Sequence, residues 1–434
     1  MRKSPIISHR STLDCSLRLA NFFGLYDVDN KSPVKYIVFS IFRTFNWIVV
    51  SQMVAANIAD FCINIDDILE VSYNLGFILA LITTNFKAAA LYYQQNKFRQ
   101  LIDDVHRPIS LLKYSSDLGV LTIIRTGLVF QRCDYGAYIF SAASTVGTNI
   151  LPMKLVLKTR QLPVRGEYPF NGTVSPNFEI IYGAQSYALL VACLWVLVFD
   201  TTLLGFIRWI NVQLVILQAN FRHCDDIATG RASFSMSDRN YQIIKGFSFF
   251  GVPEEQEEIR SFIPFTEEEA SVEDDSFVIR FRSCVMHHRR LISHLNEFND
   301  LFHVVLFGQI LTSCTLTCVG LFQLVLALEK KRNTFRAATL FALGLVHLIY
   351  WCANGDRIIV ENDKLSVSIY QSGWENNISK ETKGLILNGL IQGLMPMKMK
   401  AGAFFIFSMK TYLTVIRTSY SYFAILSTTT SSDD

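Results

Sequence analysis

The chain has 434 residues, of which half are hydrophobic and only 18% are charged, and its net charge is +3. This small charge, together with the absence of a basic tract or a nucleic-acid-binding module, argues against a nucleic-acid partner. No linker divides the chain, so the composition predicts one membrane domain of many helices rather than two or three soluble domains.

Seven stretches have the roughly 20 mainly apolar residues that a transmembrane helix needs. In chain order they are residues 36–58, 71–93, 120–150, 178–209, 301–328, 337–359 and 401–426. The fifth is the clearest, because it contains no Asp, Glu, Lys or Arg, whereas the first, third and seventh carry charges within the span. The sequence therefore predicts an all-α membrane protein with seven transmembrane helices.

Lys and Arg in the short connections predict the orientation of these helices. Residues 1–35 contain six of them, whereas residues 59–70 contain none and carry four acidic residues instead. We therefore predict a cytoplasmic N terminus and, after seven spans, an extracellular C terminus. The sequon at Asn171 lies on the predicted outer side, where glycosylation can occur. A basic loop at Lys330 and a second sequon at Asn377 point to the opposite orientation.

The only long hydrophilic segment is residues 221–300, between spans four and five. Its middle, residues 254–275, is rich in Glu and Asp, and we expect a solvated loop there. Alternatively, several copies around a central exit would concentrate cations. Residues 283–301 are predicted to form an amphipathic helix that continues into span five. His287 and His294 on it could bind a metal or sense pH, but solvated or interfacial side chains are the simpler interpretation.

One face of the seventh span is polar. Read at steps of three or four residues, that face consists of Lys410, Thr414, Arg417, Ser421, Ile425 and Thr428. Charge inside a bilayer is costly unless it faces protein or water. The stripe therefore predicts the wall of a pore or of a wet cavity.

Three blocks within about the last 150 residues resemble insect odorant receptors, whereas the first 220 residues match only in span count, topology and length. The blocks are the run from Arg280 to Phe302, the set Gly355, Leu365, Ser368, Ile369, Tyr370 and Trp374, and the ending with Thr411-Tyr412 followed by residues 418–423. The resemblance implies a subunit of an odorant-gated, non-selective cation channel in the plasma membrane of olfactory sensory neurons. It implies a tetramer, surrounded by membrane lipid, in which a tuning subunit joins a common coreceptor. The acidic insert and residues 427–430 favour the tuning subunit.

The resemblance also implies a pore lined by the seventh helix. It assigns to the pore and its gate Ser421, Ile425, Thr428 and Thr429. An apolar ring at Ile425 would close a narrow pore by excluding water. Lys410 and Arg417 depart from this pattern, because basic groups facing a cation pore oppose conduction. Either they lie in a wide hydrated vestibule, or the helix is rotated and they contact neighbours or lipid headgroups.

The resemblance implies an odorant bound in the outer half of the bundle, among spans two, three, four and six, with span five nearby. Such a pocket should be apolar and aromatic with one or two hydrogen-bonding groups. The candidate contacts, each of which could equally pack helices, are Tyr73, Phe77, Phe140, Ser144, Thr145, Gly147, Tyr182, Gln185, Ser186, Phe341 and Leu345. None is charged, so a small neutral volatile such as an ester, alcohol, aldehyde or aromatic is favoured.

These predictions divide the chain into four parts. Residues 1–220 hold spans one to four and the odorant pocket, residues 221–300 the cytoplasmic insert and anchor helix, and residues 301–375 spans five and six. Residues 376–434 hold a cytoplasmic helix, which joins the anchor region, and the pore-lining seventh helix. No phosphate loop, nucleophile elbow or metal-ligand cluster is visible, so we expect no enzyme, cofactor or metal site.

Two other receptor classes are alternatives. An insect gustatory receptor is the nearer one, but this chain lacks the Gln-Phe ending typical of that family. A G-protein-coupled receptor also has seven spans. Its topology is the inverse of the one predicted here, and its Asp-Arg-Tyr and Asn-Pro-x-x-Tyr motifs are absent.

Overall fold

The computed structural model describes residues 11–25, 33–64, 68–150, 160, 162–172, 174–249, 251, 253–329, 334–380 and 382–431. Its helices are α1 Ser11–Phe22, α2 Pro33–Ile63, α3 Ile68–Leu112, α4 Leu118–Asn149, α5 Asn177–Arg222, α6 Asp238–Lys245, α7 Glu254–Glu257, α8 Glu267–Ala270, α9 Phe277–Glu329, α10 Thr334–Tyr370, α11 Thr382–Gly393 and α12 Met409–Ser431. Two 3₁₀ turns, Ile227–Thr229 and Trp374–Asn377, and a hairpin of β1 Lys400–Ala401 with β2 Phe405–Ile406 complete the described elements.

The protein is an all-α membrane protein. Within the described residues, five helical segments are long and apolar enough to cross a membrane, namely Tyr36–Ile63, Asn74–Leu112, Asn177–Arg222, Phe277–Leu326 and Ala337–Tyr370. They overlap predicted spans one, two, four, five and six, and all five extend beyond a predicted end, most of all Phe277–Leu326, which begins 24 residues before predicted span five. Predicted spans three and seven are also helical, as α4 and α12, but they are not among these five segments. The count of seven crossings and the sides of the termini stay predictions.

The helix α5 is the centre of the bundle. In the most apolar stretch of α5, 78% of the residues are buried inside the protein. The helix packs against α1, α2, α3, α4, α9 and α10. Phe206 of α5 stacks on Phe298 of α9 with ring centroids 5.2 Å apart, and Phe98 of α3 meets Phe302 edge-on at 4.9 Å. Lipid is as apolar as these rings, so close packing rather than the hydrophobic effect stabilises their contacts.

The helix α9 is continuous over 53 residues. This confirms the prediction that residues 283–301 form a helix continuing into span five, and the helix runs without a break through residue 300. The expectation of solvated histidines is wrong for His287, whose side chain is only 2% exposed. The ring of Phe265 covers it, with the two ring centroids 3.6 Å apart.

The segment of residues 259–265 packs against the bundle, so the expectation of a solvated loop is wrong there. Phe262, Ile263 and Phe265 are fully or almost fully buried. The carboxylate of Asp117, which caps the start of α4, accepts hydrogen bonds from the Arg260 backbone N–H at 3.0 Å and from the Ser261 hydroxyl at 2.8 Å. Apolar anchors and a helix cap thus hold the acidic insert to the bundle.

A second contact ties the end of the insert to the end of α5. Asp275 accepts hydrogen bonds from Arg231 at 2.8 Å and from the fully buried Arg280, whose Nε is 3.0 Å from both carboxylate oxygens. Arg280 also donates to the carbonyls of His223 and Asp226. Burial alone would raise the pKa of the Asp275 carboxyl, but the two guanidinium groups outweigh burial and hold this pKa below its usual value.

The predicted start of the last helix at residue 401 is wrong, because α12 begins at Met409. The apolar stretch before it forms the hairpin, which turns at Gly402 with a φ of 66°. The Gly402 N–H donates to the carbonyl of His303 at 2.7 Å, and the Asn299 side chain of α9 bonds the backbone on both sides of Met399. Residues of α9 thus form hydrogen bonds with backbone N–H and C=O groups of this segment. In a straight helix these groups would bond to each other.

Candidate ligand cavity and pore helix

A cavity of about 220 Å³ lies among α3, α4, α5, α9 and α10. Much of its wall is apolar and includes Leu189, Val196, Leu316, Leu340 and Leu343. The volume is below the roughly 300–1,000 Å³ of pockets for drug-sized ligands, so the cavity suits a smaller molecule.

The structure brings only some of the predicted odorant contacts to this cavity. Phe77 of α3 and Thr145 of α4 line it. The side chain of Tyr73 lies outside the described residues. The predicted contacts that do not line the cavity are Phe140, Ser144, Gly147, Tyr182, Gln185, Ser186, Phe341 and Leu345.

The difference is one of helix rotation. On α4 the lining positions are Ala137, Tyr138, Ser141, Ala142, Thr145, Thr148 and Asn149, which share one face at steps of three and four residues. Ser144 and Gly147 are one or two positions away, on the next face. Polar and apolar residues are spread around all faces of α4, so its sequence gives no signal for which face meets the cavity.

Two of the predicted contacts hold the connection between α4 and α5 instead. The buried Gln185 accepts a hydrogen bond from the Val164 N–H at 3.2 Å and donates one to the Tyr168 hydroxyl at 3.0 Å. The Tyr182 hydroxyl donates to the carbonyl of Ile150 at 2.7 Å. Asn171 lies in the same connection and is exposed, whereas Thr173 of its sequon lies outside the described residues.

One end of the cavity carries a charged cluster that the sequence analysis missed as a unit. Lys87 of α3 donates to both carboxylate oxygens of Asp200 of α5, at 2.7 and 3.0 Å. His347 of α10 contacts Asp200 through Nε2 at 2.5 Å, and its Nδ1 lies 2.8 Å from Gln309 Nε2 of α9. An amide nitrogen only donates, so the Gln309 contact assigns the imidazole proton to Nε2, which donates to Asp200. A lysine inside span two and a carboxylate inside span four were the available signals.

A second buried ion pair joins α4 to α5. Arg208 donates to the carboxylate of Asp134, with its Nε at 3.1 Å, and both side chains are buried. Arg132, two residues before Asp134, is exposed. Asp134 and Asp200, which are carboxylates within predicted spans three and four, thus both lie in internal salt bridges.

Polar contacts lead from the cavity to α12. The hydroxyls of Thr83 and Thr312 are 2.6 Å apart, and Gln309 donates to the Ser313 hydroxyl at 2.9 Å. The next residue of α9, Cys314, accepts a hydrogen bond at its carbonyl from the Ser419 hydroxyl of α12 at 3.3 Å. The helix α9 therefore touches both the cavity and the last helix.

The polar stripe of α12 lies on the face that its own subunit leaves open. Val415 and Ser419 are 6% and 1% exposed where they pack against the bundle. At 3.6 residues per turn the stripe lies on the opposite side, and its members Lys410, Thr414, Arg417, Ser421 and Ile425 are all exposed. The side chains of Thr428 and Thr429 lie outside the described residues.

Comparisons with known proteins give a family match and a fold match. The profile of the family described as "7tm Odorant receptor" matches residues 67–420. Odorant receptor 63a of Drosophila melanogaster is 26% identical over 157 residues, 36% of this chain and 37% of the relative. Odorant receptor 10 of Aedes albopictus is 23% identical over 262 residues, 59% of this chain and 57% of the relative. These alignments thus cover between about a third and just over half of the relatives' length.

Solved structures match over nearly the whole chain. The insect olfactory receptor OR5 from Machilis hrabei superposes with a TM-score of 0.69 at 11% identity, covering 96% of this chain and 97% of that one. The same receptor in complex with eugenol gives a TM-score of 0.70 at 10% identity, covering 98% and 100%. At this identity the likeness shows the fold.

Proposed function

This chain belongs to the 7tm odorant receptor family, and from that premise we propose that it is a subunit of a ligand-gated, non-selective cation channel. Its ligand is a small neutral volatile, which binds in the cavity among α3, α4, α5, α9 and α10. The observation that carries the proposal is this cavity of about 220 Å³, with its largely apolar wall and its cluster of Lys87, Gln309 and His347. A relative in fold, OR5 from Machilis hrabei, has been solved in complex with eugenol.

The proposed pore runs along α12 at the centre of a tetramer. Support comes from the exposed polar stripe, which lies opposite the packed Val415 and Ser419. Ser421, Thr428 and Thr429 line this pore, and Ile425 forms its apolar gate, which closes by excluding water. The bound volatile favours the open pore by the difference between its affinities for the open and closed states.

The proposed partner is the common coreceptor of the family, and the proposed location is the plasma membrane of olfactory sensory neurons. The test is whole-cell current from cells expressing this chain with and without an insect coreceptor, during application of neutral volatiles. We expect rapid inward current only with the coreceptor. Current from the chain alone would make it a self-sufficient channel. Silence in both conditions, with both proteins shown at the surface, would contradict odorant gating and favour a tastant-gated channel.

The position of the binding site has a matched test on α10. Leu343 lines the cavity, whereas Leu345 does not. Leu343→Trp fills part of the cavity, so we expect a half-maximal ligand concentration at least about tenfold higher, because overpacking a filled site typically costs 1–3 kcal/mol. Leu345→Trp should leave the response near that of the unmodified receptor. The reverse result would move the site to the face that contains Leu345.

A further inference from the structure

The two basic side chains that line the cavity, Lys87 and His347, lie together with Gln309 at one place, called here the Lys87 end. Along α3 the lining residues run from Gly76 to Lys87, and along α10 from Thr339 to Tyr350. The contacts among Lys87, His347 and Gln309 through Asp200 bring the far ends of these two stretches together. The ligand therefore meets both basic side chains of the lining at one place, whereas the other polar lining groups, such as Thr145 and Asn149, are neutral.

The acceptors of Asp200 and His347 are already occupied. Both carboxylate oxygens of Asp200 receive hydrogen bonds, and Oδ2 receives one from Lys87 and one from His347. Both ring nitrogens of His347 are also engaged, one with Asp200 and one with Gln309. An incoming ligand therefore finds little at Asp200 or His347 to which it could donate.

A donor remains at Lys87. Its ammonium group has three N–H bonds, and the two contacts with Asp200 use at most two of them. Its other contact in the described part of the chain is the ring of Phe199, 5.4 Å from Nζ to the centroid, which offers no hydrogen-bond acceptor oxygen. Lys87 is 1% exposed and lines the cavity, so its remaining N–H is buried. A ligand in the cavity can supply the acceptor for it.

The charge of Lys87 is compensated by Asp200, so the Lys87 end does not need an anionic ligand. A neutral oxygen is sufficient to satisfy the remaining N–H, whereas a hydrocarbon would fill the cavity and leave that donor without a partner. Leaving a buried donor unsatisfied is more costly than forming the bond is favourable, so the cavity discriminates against molecules that lack an acceptor.

We infer that the ligand is an oxygenated volatile whose carbonyl, ester, ether or hydroxyl oxygen accepts a hydrogen bond from Lys87 Nζ. Its hydrocarbon part lies along the apolar wall formed by Leu189, Val196, Leu340 and Leu343. This inference rests on the proposed function and adds to it the chemical class of the ligand and the residue that selects it.

The test compares ligands on the unmodified receptor, expressed with the coreceptor. Whole-cell dose–response curves are recorded for sets of volatiles with equal numbers of heavy atoms, namely an alkane, a ketone, an ether and an alcohol. We expect half-maximal concentrations at least about tenfold lower for the oxygenated members, as for a hydrogen bond to a charged group. Equal potency across each set would overturn the inference and leave the proposed function standing. Silence to every volatile would contradict the proposed function instead.

A paired variant tests the role of Lys87. Lys87→Met alone would leave Asp200 buried with only His347 beside it, so Lys87→Met is combined with Asp200→Leu. We expect this double variant to answer ketone and alkane at concentrations within about threefold of each other, because the donor is gone. Lys97→Met, on the exposed side of the same helix, should keep the preference of the unmodified receptor.

A double variant that responds and still prefers the ketone about tenfold would overturn the assignment to Lys87. The dose–response series on the unmodified chain decides the ligand class even where the double variant fails to reach the cell surface.

Discussion

The two buried carboxylates within predicted spans three and four are compensated by basic side chains. Asp134 pairs with Arg208, and Asp200 is held between Lys87 and His347. Within the bundle neither water nor lipid can replace a lost partner, so each charge depends on its neighbour. Lys87 and His347, which line the cavity, therefore also join α3 and α10 to α5 through Asp200.

We predict that Asp134→Ala destabilises the protein by about 3–5 kcal/mol, because it leaves the buried Arg208 without its partner. Thermal unfolding of the detergent-solubilised protein measures the effect. Arg132→Ala is the matched control, since this arginine is on the same helix and exposed, and it should change stability by less than about 0.5 kcal/mol. Equal losses for both variants would show that the pair is not the source of stability.

The contact between Asp275 and its two arginines predicts a pH dependence. The pKa of Asp275 is lowered in the folded protein, so its stabilising contribution is present above the ordinary carboxyl value and is lost as the pH falls through the lowered value. Asp275→Asn should lower the unfolding temperature at neutral pH and lose less stability than the unmodified chain on acidification. Parallel pH profiles for the two proteins would contradict this assignment.

At the scale of elements, α10 approaches the segment before α12 at a glycine. A Cβ built on Gly355 would lie 2.5 Å from the Phe407 carbonyl oxygen and 2.7 Å from the Phe407 Cβ. The position therefore admits no side chain without a shift of the backbone. It fixes how closely α10 and the base of the proposed pore helix approach each other.

Gly355→Ala should therefore destabilise the receptor by about 1–3 kcal/mol, as overpacking does. Gly136→Ala is the control, because a Cβ on Gly136 would meet nothing within 4 Å, and helix propensity favours alanine there. Thermal unfolding compares the two. If Gly355→Ala unfolds at the temperature of Gly136→Ala, the two elements have room to adjust.

At the scale of the whole molecule, the open face of α12 allows four subunits to share a pore. Ile425 is 61% exposed in the single subunit, so it is available to form an apolar ring. We expect Ile425→Ser to raise the current recorded without ligand, since a polar ring no longer excludes water. Leu413→Ser, at an exposed position away from the stripe, is the control. Unchanged basal current and permeation would argue against a gate at Ile425.

Lys410 and Arg417 lie on the same open face as Ser421. Basic groups along a cation pore oppose entry of cations, and most strongly of divalent ones. Lys410→Gln with Arg417→Gln should raise the single-channel cation conductance by about twofold or more and increase the relative Ca²⁺ permeability. Lys383→Gln, an exposed lysine of α11, provides the control. Identical conductance in the double variant would place both side chains outside the conduction path.

The sequence by itself determined the class of the molecule, the positions of most spans and the family. Apolar segments of membrane length are a one-dimensional signal, because the bilayer imposes the same length on every crossing. The polar stripe of α12 was also visible in the sequence, because charges within a membrane-length segment are few and their spacing along the chain can be read directly. The resemblance carried by the last 150 residues is confirmed by the family match over residues 67–420.

Only the tertiary structure decided the rotation of each helix and the partners of each buried charge. Phe77 and Thr145 line the cavity while Ser144, on the same helix as Thr145, does not, because the polar and apolar residues spread around α4 do not reveal which face meets a neighbour. Lys87 and Asp200 are separated by more than a hundred residues, so their pairing depends on the way the helices pack. The hairpin before α12 also depends on the way the helices pack, since its backbone forms hydrogen bonds with α9.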